Sequence, residues 1–68
     1  MNDEDRAADI RTRARRIREQ GRRLAARARA TPDGVMRDML FGQAEILARG
    51  ADDLEVQALA LTPPAGTA

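Results

Sequence analysis

The chain contains no cysteine, histidine, lysine, serine, tyrosine or tryptophan, and Phe41 is its only aromatic residue. Each absence removes a class of chemistry. Without Ser, Cys, Lys, Tyr or His, the common nucleophiles and the imidazole proton carrier are missing. Disulfides and thiolate or imidazole metal ligands go with Cys and His. Stacking of bases or sugars has one ring to use. Carboxylates, guanidiniums and packing remain. No nucleotide loop, Rossmann glycine pattern or zinc spacing occurs. Asp52, Asp53 and Glu55 lack calcium-loop spacing and read better as a helix cap. Paired carboxylates for hydrolysis need an enclosing pocket. The expectation is a chain without catalytic activity, cofactor or metal.

Long apolar runs are missing too. Nothing approaches the roughly 20 residues that span a bilayer, and the start, Asn2-Asp3-Glu4-Asp5, is acidic where a leader is basic. A cytoplasmic protein with no membrane partner is expected. At 68 residues the chain is one small domain. Domains below about 70–80 residues usually need a disulfide, a metal, oligomerisation or very regular helix packing, and only the last two are open here.

Two long helical segments are present. Asn2, Asp3 and Asp5 suit a helix start. Ala7, Ile10, Ala14, Ile17, Gly21, Leu24 and Ala28 then recur at spacings of 3 and 4, a heptad seam with small residues at one position and Ile or Leu at the other. Thr31-Pro32-Asp33-Gly34 ends this segment, either as a Pro-Asp-Gly turn or as an N-cap followed by proline at the first helical position. The second segment carries a broader stripe of Val35, Met36, Met39, Leu40, Gln43, Ile46, Leu47, Gly50, Leu54 and Leu61. Arg49-Gly50 could end a helix there, but the stripe keeps its phase across Gly50 and favours one continuous helix.

The expected fold is all-α. One domain over residues 1–61 forms an antiparallel two-helix hairpin, with helix one at about 3–30, a turn at 31–34, helix two at about 33–61 and a tail at 62–68. Folding about Pro32 sets Gly21 near Gln43 and Ala44, Ile17 near Ile46 and Leu47, Ala14 near Gly50 and Ala51, and Ile10 near Leu54. Large apolar residues are unevenly shared: Ile10, Ile17 and Leu24 on helix one, against eleven on helix two. One narrow seam cannot cover the second set. Met36, Met39, Leu40, Gln43, Ile46, Leu47, Gly50 and Leu54 are therefore the candidate oligomer interface. They would bring hairpins together as a four-helix bundle, with helix two at the centre, or as a higher helical oligomer. Another protein is the alternative occupant. Gln43, inside the stripe, is the residue expected to fix register. Phe41 points off the stripe and is the candidate second contact.

Charge is uneven as well. Residues 10–30 hold nine Arg and one acid, Glu19, while the whole chain sums to +1. Arg11, Arg15, Arg18, Arg22 and Arg29 line one flank of the seam, and Arg16, Arg23 and Arg27 the other. Either helix one offers a row of guanidiniums to nucleic-acid phosphates, or the row pairs with helix two: Arg11 with Asp52 or Asp53, Arg18 with Glu45, Arg27 with Asp38.

The expected architecture over residues 3–61 is similar to Rop-type RNA-binding hairpin dimers and to the helical-hairpin oligomerisation cores of phage small terminase subunits. The likeness is one of shape and carries over no functional residue. The expected function is that of a self-associating helical hairpin acting as an adaptor or regulatory subunit. The alternative is a nucleic-acid-binding module, used in DNA packaging or RNA control.

Overall fold

The N-terminal cap forms where the short polar side chains predict it. Asn2 Oδ1 accepts a hydrogen bond from the Asp5 backbone N–H at 2.8 Å, and Asp3, Glu4 and Asp5 occupy the first turn, where carboxylates complement the positive end of the helix. The computed structural model describes residues 2–63; the rest of the tail expected at 62–68 lies outside the described residues. Two helices make up the fold, α1 (Asp3–Arg29) and α2 (Val35–Leu61), packed against each other as a hairpin. Among the described residues there is no strand.

The turn is built from three devices. The Thr31 hydroxyl donates to the Arg27 carbonyl at 2.6 Å and the Thr31 N–H to the Ala28 carbonyl at 3.1 Å, which closes the end of α1. Arg27 and Arg29 stand in the last turn, favourable at the negative end of the dipole. Gly34, with φ of 149°, precedes Val35 in a region that only glycine enters freely. Gly34 thus caps α2, and Thr31-Pro32 belongs to the turn. α2 runs unbroken through Gly50, so Asp52, Asp53 and Glu55 are mid-helix and do not form the cap that their sequence suggests. At the far end, the Thr62 N–H returns to the Ala58 carbonyl at 3.0 Å, and Pro63 follows.

The core consists entirely of small residues. Ala7, Ala14, Gly21 and Ala28 are buried on α1, every seventh residue; Ala44, Ala51 and Ala58 are buried on α2 at the same interval. Ile10, Ile17 and Leu24 on α1 and Leu40, Leu47, Leu54 and Leu61 on α2 are only half-buried. Small residues at every heptad let the two backbones approach, and the branched residues lie along the side of the seam. A methyl group placed on Gly21 would sit 3.4 Å from the Ala44 carbonyl oxygen and 3.5 Å from Leu47 Cβ. Gly50, expected at the same close approach, has nothing within 4 Å of such a methyl. Ala51 takes that place, because the α2 seam runs through Ala44, Ala51 and Ala58.

Candidate functional site

The heptads place two surfaces on this hairpin, one on each helix. On α2 the residues facing α1 recur as Leu40, Ala44, Leu47, Ala51, Leu54, Ala58 and Leu61. One residue earlier runs a second series at the same 3 and 4 spacing: Met36, Met39, Gln43, Ile46 and Gly50. One residue is about 100° around a helix, so α2 bears two seams at nearly a right angle. The first is filled by α1. The second is open: Ile46 is 68% exposed, Met36 60% and Met39 53%. Asp53 and Gln57 continue the series but are polar, so the apolar part spans residues 36–50, about 21 Å of helix.

The eight expected interface residues thus divide between the seams. Met36, Met39, Gln43, Ile46 and Gly50 form the open one, while Leu40, Leu47 and Leu54 are half-buried against α1 and present their outer edges beside it. Leu24 of α1 joins Gln43, Ile46 and Leu47 around an apolar notch of about 270 Å³. Phe41 lies on the opposite side of the α1–α2 seam, beneath the Arg37 guanidinium at 5.6 Å from the ring centre. There it lines a shallow groove with Gly21, Ala25, Ala44 and Ala48. Of the two α2 alanines in this groove, Ala44 also belongs to the core.

On α1 the arginines divide in a comparable way. Arg18 crosses to α2. Its Nη2 donates to Asp52 at 2.8 Å, and the same side chain bonds Glu55. These bonds, that to Asp52 first, hold the Arg18 pKa above its ordinary value. Arg11 donates to the Thr62 hydroxyl at 2.7 Å. Both partners lie further along α2 than a fold about Pro32 predicts, which gives Glu45 for Arg18. Helical side chains lean toward their own N-terminus. In an antiparallel pair both partners lean toward each other's C-terminal side, so their residue numbers add to more than the backbone register does.

The remaining α1 arginines face outward. Arg15 bonds Thr12 on its own helix at 3.2 Å, and Arg22 and Arg23 both approach Glu19 at 3.6 Å. Among the described residues Arg13, Arg15, Arg16, Arg27 and Arg29 have no carboxylate partner, and neither Asp38 nor Asp53 pairs with any arginine. The five arginines expected to bind phosphate therefore separate into Arg11 and Arg18, engaged with α2, and Arg15, Arg22 and Arg29 on the outer edge. Sequence reading underused Arg16 and Arg23, which stand across a strip of Thr12 and Glu19 from that row. Their interval of seven was the available signal.

Among the described residues no group of acidic side chains is arranged to hold a metal, and no helix is long and apolar enough to cross a membrane. No family model, curated protein or solved structure matches this chain.

Proposed function

We propose that this protein is a non-enzymatic, self-associating helical hairpin whose assembled form serves as an adaptor or regulatory subunit. The observation that carries the reading is the second seam of α2, apolar, exposed and in heptad register beside the first. A helix with one seam needs one partner; a helix with two seams about 100° apart is suited to the interior of a bundle. α1 lacks a matching second seam, since the positions beside its own are mostly arginine. The natural occupant of the α2 seam is α2 of another copy, with the α1 helices outermost.

The sequence of the seam also selects a register. Met36, Met39, Gln43, Ile46 and Gly50 are centred on Gln43. Antiparallel pairing about that residue sets the two Gln43 amides face to face, each able to donate to the other. It sets Met36 against Gly50, large against small, and Met39 against Ile46 and Leu47. Gln43, Ile46, Leu47 and Gly50 are spaced as the four corners of a coiled-coil hole, and the notch beside Leu24 is where the other copy's methionine would enter.

The chain has no cysteine, so one introduced thiol reports the register directly. Gln43→Cys is expected to oxidise to a covalent dimer, because two residues on the two-fold axis come within disulfide reach. Met36→Cys is expected to stay reduced, since its counterpart lies at the far end of the seam. Crosslinking of both variants would mean parallel, in-register pairing, and crosslinking of Met36→Cys alone would mean antiparallel pairing centred near Met36. Crosslinking of neither would remove α2 from the interface.

A further inference from the structure

The outer edge of α1 concentrates charge that α2 does not neutralise. Residues 10–30 contain nine arginines and a single acid. Arg11 and Arg18 are held against α2 by Thr62, Asp52 and Glu55. The other acids of the turn and of α2 do not reach round: Glu45 pairs with Arg49, Asp33 with Arg37, and Asp38 and Asp53 with no arginine among the described residues. Seven arginines of this segment remain, all exposed: Arg15, Arg22 and Arg29 form one row, Arg16 and Arg23 another, and Arg13 and Arg27 stand outside both rows. Within a row the interval of seven residues is about 10.5 Å.

We infer that the outer edge of α1, through Arg15, Arg16, Arg22, Arg23 and Arg29, binds the phosphate backbone of duplex DNA without sequence preference. Three features select this partner. The rows flank a strip, containing Thr12 and Glu19, at the floor of a shallow depression of about 550 Å³. A helix with side chains is about 10–12 Å across, and the DNA major groove about 12 Å wide. An edge one helix thick therefore enters the groove with one row toward each strand. The depth of the edge comes from the α1–α2 pairing, which puts α2 behind α1 and out of the way. Single strands are disfavoured, because base stacking needs aromatic platforms and the one ring, Phe41, is on α2 under Arg37. Duplex RNA is disfavoured, because its major groove is too narrow to admit a helix. Sequence preference is absent because arginine tips meet phosphates, which carry no base identity.

Glu19 has a defined part in this surface. It is the only carboxylate on the edge and approaches both Arg22 and Arg23 at 3.6 Å. It draws one guanidinium of each row inward, and its own charge opposes a phosphate. Removing that charge should tighten DNA binding, whereas a solvated ion pair with no ligand would show no such gain.

The test is fluorescence anisotropy with a short labelled DNA duplex of mixed sequence, its RNA counterpart and the single strands. Five phosphate contacts give a log–log salt slope of about −4.5, so affinity for DNA should fall roughly 500-fold between about 50 and 200 mM salt. Arg16→Gln with Arg23→Gln should reduce the slope by about 2, with the helical circular-dichroism signal retained because Gln is a good helix former. Arg6→Gln with Arg49→Gln removes the same charge away from the edge and should leave the slope nearly unchanged. Glu19→Gln should tighten binding by at least about twofold at about 50 mM salt. The inference is overturned by no duplex binding at tens of micromolar protein, by RNA or single strands bound as tightly as duplex DNA, or by equal losses from the two double substitutions. A loss of oligomer or of helix in the Arg16/Arg23 variant, with no DNA binding to lose, would assign the rows to packing. The duplex-binding outcomes do not depend on whether α2 pairs with a second copy, since the edge is complete within one hairpin.

Discussion

α1 and α2 are each 27 residues long, and each buries a small residue at every seventh position, yet their outer surfaces are opposites. Away from the shared seam half of the α1 residues are arginine, while α2 carries a second row of Met, Ile and Gln. An identical internal repeat can therefore serve two different ends. Packing within the hairpin asks only for Ala, Gly and one branched residue per heptad. What each helix does beyond the hairpin is written in the residues one step round from the repeat. The lack of any large, fully buried side chain among the described residues follows from the same economy: two helices form a single layer, and only residues as small as alanine are enclosed between them.

The contrast is broken most severely on the α2 side. Ile46→Asp replaces a residue that is 68% exposed in the hairpin, and for a lone hairpin it would be neutral. With the second seam occupied it buries an unpaired charge, at a cost of about 3–5 kcal/mol. The expected outcome is dissociation together with loss of the helical circular-dichroism signal at micromolar concentration. A folded Ile46→Asp variant with unchanged melting would make α2 as self-contained as α1.

Glycines sharpen the comparison along the shared seam. Gly21→Leu forces a branched side chain between the helices, where even a methyl meets Ala44 and Leu47 at 3.4 and 3.5 Å. Overpacking should cost about 1–3 kcal/mol, despite leucine's better helix propensity. Gly42 has open space around it, so Gly42→Ala should raise stability by about 1 kcal/mol from propensity alone. Chemical denaturation of both variants checks the pair of signs. A smaller effect is expected from Arg18→Gln. It removes the cross-helix bonds to Asp52 and Glu55, but exposed ion pairs contribute little. Its melting midpoint should fall slightly, and fall less as salt is raised.

The hairpin was legible in the sequence because α1 states its seam openly: against a background of arginine, Ala7, Ile10, Ala14, Ile17, Gly21, Leu24 and Ala28 are the only regular apolar set. α2 hides its own. Large residues dominate a reading by hydrophobicity, so Met36, Met39, Ile46 and the leucines merge into one stripe, and Ala44, Ala51 and Ala58 are as common on surfaces as in cores. Only the burial of those alanines separates the stripe into two seams. The cross-helix partners of Arg11 and Arg18 were displaced for a geometric reason, the lean of helical side chains, that a register read from Cα positions leaves out. The acids at 52–55 gave a capping signal because capping and cross-helix pairing use the same residue types.

The central claim is that the second seam of α2 is filled by another copy of the same chain. Sedimentation equilibrium over micromolar concentrations, with circular dichroism on the same samples, tests it most directly. A fully helical species with twice the 7.4 kDa chain mass, or a higher multiple, is the expected result. A fully helical 7.4 kDa monomer would contradict it.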